Sequence, residues 1–485
     1  MKLSILVRFR HLPALWLAVL LGCTSGAADA PPSTNASESS PLPASRPPAP
    51  QVLTRLFFQD YETKSLKWLD VQEGSPLTLG PAATVEGFPP LDPARQELVQ
   101  MEVIGEHLLV GVRESDEDRR SNGWVLVHTG VRGVSHGDHA DWSYRQHPRV
   151  LARQLDGEQG NPAHLYQYDG VFYLANDERS GYTRLDPRTI RPEDDEAAIR
   201  SAARFLPGGG HHITLAVADN RVGYAAWIDG DGPHKGRVDV TPLDAAGTPE
   251  TAYSFQLPSG GIHGAVVCQG KVFLAPADGL CWVAADLDLR FRDNPQGVQV
   301  HHIALGRDPA TERPLRTGAF TTFGKYVLCV CGAGPTAALC LLDASQETPQ
   351  PRLIGLDMQA GNRPVTPEVV QTRSGKRYAF VFHDHPQDVE AEDRLSIIDL
   401  DPDGDGDFAD ARVEKSLLVG PCRLEGHYGH HSISFDADGR RAFFTNPGNG
   451  LLVVLDLRRL EPVLEHPLGG IPTKLLAVGG REERH

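Results

Sequence analysis

The chain has 485 residues, a formal net charge of -16 and 23% charged residues. That is the composition of an ordinary folded protein with a substantial core. The acidic balance argues against a nucleic-acid partner, which needs a Lys/Arg surface to neutralise phosphate, and it is compatible with cations.

Taken in chain order, the first residues are not fold. Lys2, Arg8 and Arg10 precede a short apolar run at 12–21, too short to span a bilayer, so residues 1–22 read as an export signal. The run ends in Leu20-Leu21-Gly22-Cys23, which resembles a bacterial lipobox. Cleavage before Cys23 and acylation of its thiol are expected to anchor the mature chain by lipid, without a transmembrane helix. Thr24 stands where an aspartate would favour the inner membrane, so the expected location is the periplasm, on the outer membrane. Residues 23–50 are rich in Pro, Ser and Ala and read as a disordered tether ahead of one domain over 51–485.

From there on, short runs of Val, Ile, Leu, Phe and Tyr recur between Gly, Asp, Asn and Pro, an all-β signature. The runs repeat as a strand–turn–strand–turn–strand unit. Residues 97–131 give one copy. Others open at His164, at His212-Ile-Thr-Leu, at Ile262-His263-Gly-Ala, at Ala319-Phe-Thr-Thr, at residues 365–370 and at His431-Ser-Ile-Ser-Phe. Repeats of this length predict the blades of a β-propeller. Leu56-Phe-Phe-Gln and Leu66-Lys-Trp-Leu look like middle strands lacking a first. Ile471-Pro-Thr-Lys-Leu-Leu-Ala-Val looks like a first strand lacking a continuation. Joined, they close a ring of eight blades, with seven as the alternative.

Six cysteines remain after Cys23. Cys329 and Cys340 flank the turn signal Gly332-Ala-Gly-Pro335 and can face each other across a hairpin. Cys268 and Cys281 are separated by a predicted strand. No CxxC pair suggests a thiolate zinc site, so the cysteines read as structural.

The histidines are the chemical signal. His164, His211, His212, His263, His430 and His431 stand at or just before predicted blade-opening strands. In a propeller those strands line the central channel, so their first residues converge, and imidazole is a good ligand for Zn, Cu, Ni or Fe. Neighbours on a strand point opposite ways, so only one of His211 and His212, and one of His430 and His431, can face the channel. The segment His136-Gly-Asp138-His139-Ala-Asp141-Trp142 packs two imidazoles and two carboxylates around a glycine. We expect it to lie in the connection entering the blade of His164, as a lid over the channel mouth.

These motifs resemble a known family, the periplasmic zinc metallochaperones of the AztD type. The resemblance rests on His136-Gly-Asp-His-Ala-Asp141, on His211-His212, on Ile262-His263-Gly264 and on Gly470-Ile-Pro-Thr-Lys-Leu-Leu-Ala-Val-Gly-Gly480, in that order over most of residues 51–480. It implies a propeller that holds Zn²⁺ and passes it to the solute-binding protein of a zinc ABC importer. It also implies that His136 and His139, with Asp138 or Asp141, carry the metal together with His212 and His263. The chain departs from the family in three ways: its tether has no histidine, it carries a predicted lipid anchor, and extra histidines stand at His383, His385, His427, His430 and His431.

Other candidates lie outside that set. His383-Asp-His385 follows an apolar strand, and both imidazoles can share one face for a second metal, away from the blade-start cluster; His430 and His431 are further candidates. Asp401-Pro-Asp403-Gly-Asp405-Gly-Asp407 matches the start of a Ca²⁺ loop, although Arg412 at the twelfth position excludes an EF-hand. Gly-x-Ser-x-Gly and His-Glu-x-x-His are absent, so no enzyme is expected. The expectation is a monomeric zinc carrier of the envelope. The alternatives are a copper or other metal-dependent propeller oxidoreductase and a scaffold for a non-metal ligand.

Overall fold

The computed structural model describes residues 50–483 except 116–118, 138, 192, 245–247 and 426–429. The predicted export signal, Cys23, the tether, Asp138 and His427 lie outside the described residues. Among the described residues, eight antiparallel sheets of four or five strands form the blades of a propeller.

The first blade joins both ends of the chain. Pro472–Val478 is its innermost strand and pairs antiparallel with Val52–Asp60, with Phe57 opposite Leu476. Ser65–Gln72 follows outward. The second blade runs Gln96–Ile104, His107–Glu114, Asn122–His128, Arg149–Asp156 from inside out. The third runs His164–Tyr168, Val171–Asn176, Gly181–Leu185, Arg204–Pro207. Blades four to eight open with Thr214–Ala218, Ala265–Cys268, Thr321–Phe323, Glu368–Gln371 and Ile433–Phe435. The ring therefore has eight blades, and the terminal strands close it.

Middle strands such as Val171–Asn176 are buried at every residue because both faces of each sheet are covered by neighbouring blades. The core sits between blades. Tyr173, Ala175 and Tyr182 of blade three pack on Ile213, Leu215, Val217 and Ala225 of blade four. Fully burying each such large apolar side chain stabilises by about 1.5–3 kcal/mol. The Tyr182 hydroxyl seats against Gly223, where an added Cβ would lie 2.2 Å from it.

Inner-strand edges carry unpaired backbone groups, and side chains of adjacent blades satisfy them. The Tyr168 hydroxyl donates to Leu215 O at 2.7 Å, and Leu165 N donates to Gln100 Oε1 at 2.8 Å. Ser432 and Ser434 accept from Leu475 N and Ala477 N at 3.1 and 2.9 Å.

Strand order also sorts the loops. All innermost strands begin at one face of the ring, called the start face here, and finish at the end face. In a four-stranded antiparallel blade, second-to-third connections and links between blades lie on the start face. Third-to-fourth connections lie on the end face. This corrects the expectation for His136, His139 and Asp141. They belong to a hairpin, Arg132–Ser135 with Ala140–Ser143, inserted between the third and fourth strands of blade two. The hairpin packs where the innermost strand of blade one ends: Tyr144 Oη donates to Gly480 O at 2.6 Å, and Trp142 bridges to Glu482. It is on the end face, opposite His164, and does not cover the mouth that the blade-start histidines line.

A candidate metal centre on the start face

Three blade starts meet at one point. His164 is the first residue of its strand, while His212 and His263 each lie two residues ahead of theirs. Ring centroids are 4.4 Å apart for His164 and His212, 5.1 Å for His212 and His263, and 5.8 Å for His164 and His263. Zn–N bonds of about 2.0–2.1 Å at tetrahedral angles imply ring centroids about 5 Å apart, so the three spacings bracket that arrangement. One ligand atom from each residue falls within 4.8 Å of the others, and all three rings are half-buried. Together they can hold a metal ion.

Two of the rings are aimed by fixed partners. His212 Nδ1 lies 3.1 Å from Asp177 Oδ2. Asp177 is buried in the turn between the second and third strands of blade three, and its other oxygen accepts from Ile213 N at 3.1 Å. Arg113 stands 3.6 Å from the same carboxylate. His263 Nδ1 lies 2.9 Å from Gly318 O. Both acceptors require Nδ1–H on their imidazole, which leaves Nε2 as a lone-pair donor. His164 Nε2 is 2.8 Å from His212 Nε2, so His164 supplies the hydrogen in that contact. An ion entering the site takes the place of that hydrogen.

Asp177 and Gly318 escaped the sequence reading. A backbone carbonyl carries no residue signature. Asp177 was findable only by asking which second-to-third turn reaches the next blade's start, and Asn176-Asp177-Glu178-Arg179 is such a turn.

The other candidates go elsewhere. His211 has a left-handed backbone, φ +64°, which sends its ring away from His212 and towards Trp227. On the end face, His136 Nε2 lies 2.9 Å and His139 Nε2 3.7 Å from the two oxygens of Asp141, and the rings stack at 5.2 Å.

His383 and His385, expected to share one ion, take different partners. His383 is buried against Ser396 Oγ at 2.8 Å, and burial, with Arg394 nearby, lowers its pKa to about 4. His385 Nδ1 lies 2.6 Å from Asp393 Oδ1. Nor are they remote from the blade starts: their strand, Arg377–Asp384, is second in blade seven and ends on the start face. There Asp393 Oδ2 also meets His431 Nε2 at 2.9 Å, while His431 Nδ1 faces Thr445 O at 2.9 Å. His430 turns instead towards Tyr61, with ring centroids 6.5 Å apart.

Asp401, Asp403 and Asp405 gather their carboxylates within 4.8 Å of one another. Asp401 is paired with Arg377, so a cation there competes with that guanidinium for the carboxylate. Asp407 lies outside the group, accepting from Ala409 N at 2.9 Å. Cys329 and Cys340 stand opposite each other in their ladder as free thiols, and all six described cysteines are buried. Cys268 and Cys281 flank the strand Lys271–Leu274.

The inner strands carry one charged group that sequence reading passed over. Glu102 of blade two and Glu368 of blade seven are pushed up to about 8 and about 7. Desolvation among the crowded inner strands is the main cause for both, although Glu368 is exposed and Glu102 half-buried, and for Glu102 the second carboxylate adds to it. Burial lowers Lys474 of blade one, against the attraction of Glu368.

Fold and site thus define a class: an eight-bladed propeller in which three imidazoles that could hold a metal ion meet at the start of blades three to five. No protein-family model matches the chain, and no curated protein matches it. Among solved structures, the chain is similar to Citrobacter koseri AztD, with TM-score 0.57 and 19% identity over 90% of this chain and 100% of that one. The apo form of Citrobacter koseri AztD gives TM-score 0.56 and 17% identity over 89% and 100%. The dihydro-heme d1 dehydrogenase NirN in complex with DHE gives TM-score 0.52 and 14% identity over 90% and 77%. At these identities the likeness is one of fold.

Proposed function

We propose that this protein is a zinc carrier of the bacterial envelope, which holds Zn²⁺ at His164, His212 and His263 and yields it to the zinc-binding solute receptor of an ABC importer. The observation that carries this reading is the convergence of three imidazoles, two of them with Nδ1 already engaged and Nε2 left to bind. Neutral nitrogen donors without thiolate suit an ion that must leave again. The order of motifs matching the zinc metallochaperones, and the propeller fold shared with AztD, support the same reading. Export, acylation at Cys23 and attachment to the outer membrane belong to the proposal and place the carrier where such a receptor works.

The test is to isolate the protein, measure its zinc content, load it with one equivalent of Zn²⁺ and mix it with a zinc-free solute receptor. Zinc should appear on the receptor faster than free diffusion through a competing chelator allows. Tight copper in place of zinc, or transfer only through the chelator-accessible pool, defeats the proposal.

One observation favours a second reading. Three histidines that leave a fourth position for water also suit a metal-dependent enzyme. Against it, Asp177, the carboxylate nearest the triad among the interactions described, is spent on His212 and Ile213 N. Turnover of a substrate by the zinc-loaded protein would decide for the enzyme.

A further inference from the structure

We propose that His211 and His234 form a second divalent-metal site on the start face, beside the triad, through which ions enter and leave it. The inference rests on the carrier reading for its purpose but on separate residues for its geometry.

Trp227 is the platform. It follows the strand Val222–Ala226, and its Nε1 donates to Asp239 Oδ2 at 2.8 Å. Asp239 is itself buried and also accepts from Gly209 N at 3.0 Å. The indole lies against Gly210, where an added Cβ would come within 2.2 Å of the ring, so glycine is required for the indole to settle there. His234 stacks on this fixed indole, with centroids 3.9 Å apart and planes 23° apart. His211 meets the same indole edge-on at 5.6 Å. The loop carrying His234 is closed by Asp229, whose oxygens accept from Gly232 N at 2.6 Å and His234 N at 3.0 Å.

The two imidazoles end 6.5 Å apart, centroid to centroid. Two rings on one tetrahedral ion sit about 5 Å apart, so a small rotation of either one brings both into range. Among the described residues, neither ring nitrogen of His211 or His234 has a hydrogen-bond partner, in contrast to His212 and His263. Both rings therefore keep lone pairs for an incoming ion, with water completing its shell. His211 is exposed and His234 half-buried, so the site is open to solvent. Two nitrogens hold an ion more weakly than three, as a waypoint must.

What makes the pair a waypoint is its neighbour. His211 and His212 are consecutive, and the left-handed backbone at His211 turns one ring outward and leaves the other in the triad. An ion bound outside is thus one peptide unit from a ligand of the inner site.

Zn²⁺ titration of the metal-free protein against a chromophoric chelator tests this. The wild type should show a tight event and a weaker one. His234→Ala, and independently His211→Asn, whose side chain tolerates a positive φ, should each remove the weaker event and leave the tight one unchanged. Both should also slow loss of triad zinc to excess chelator several-fold. Cu²⁺ should quench Trp227 fluorescence in the wild type, and the quenching should vanish in either variant and in Trp227→Phe. A weaker event, quenching and release rate that survive both histidine changes overturn the proposal. His263→Ala separates this from the carrier reading. If it leaves the tight event intact, the triad reading fails, while loss of the weaker event in His234→Ala still upholds the outer site.

Discussion

Two histidine clusters share the start face and use their rings in opposite ways. In blades three to five, His212 and His263 each spend Nδ1 on an oxygen and keep Nε2 directed at a common point. In blades seven and eight, His431 has an oxygen at both nitrogens and His385 leans on the same carboxylate. Asp393 and His431 are almost fully buried, so that second cluster is a brace between blades. Histidine count does not distinguish the two regions. What distinguishes them is what stands at the second nitrogen: another imidazole at His212, a second oxygen at His431.

The contrast can be broken in several places. His263→Ala removes one of three ligands and should weaken zinc binding by more than about a hundredfold, beyond the 10–100-fold typical of losing an outer partner; chelator competition measures it. Asp393→Asn strips a buried carboxylate from two imidazoles and should cost about 3 kcal/mol of unfolding free energy in urea. Zinc affinity should not follow it, and a parallel loss would merge the two clusters into one site. Asp177→Asn keeps all three ligands but releases the His212 ring, so affinity should drop by about 10–100-fold.

A smaller effect comes from the channel between the clusters. Folded Glu102 holds its proton up to about pH 8, against an ordinary value of 4.5. The folded state therefore binds more protons across that window, and stability should fall as pH rises through it. Glu102→Gln should flatten the decline in urea midpoint; an unchanged slope would assign it to other groups. The smallest expected effect is that of His136→Ala with His139→Ala. On the end face, this pair should leave triad affinity where it was, and a tenfold loss would put the hairpin back over the triad.

Much of the fold is legible in the chain because a blade repeats its hydrophobic rhythm and its turns. The split first blade was visible as middle strands near Leu56 and an orphan strand at 471–478. His164, His212 and His263 could be read as blade starts, since position in the repeat determines position at the mouth. The face of the His136 hairpin could not be read, because the strand Arg149–Asp156 that makes it an insertion within blade two carries little apolar alternation. Asp393 and Asp177 act across blade boundaries, and their partners lie 38 and 35 residues away. No local pattern announces such pairs.

The clasp between Val52–Asp60 and Pro472–Val478 has a mechanical consequence. The strands run antiparallel with Arg55 opposite Val478 and Asp60 opposite Pro472, so both ends of the chain leave the sheet on the same side. A pull applied between residues 52 and 478 loads the rungs one after another, as a zip opens, rather than all at once in shear. The ring should therefore yield first at its seam, at low force and in small steps, while the blades holding the triad remain folded.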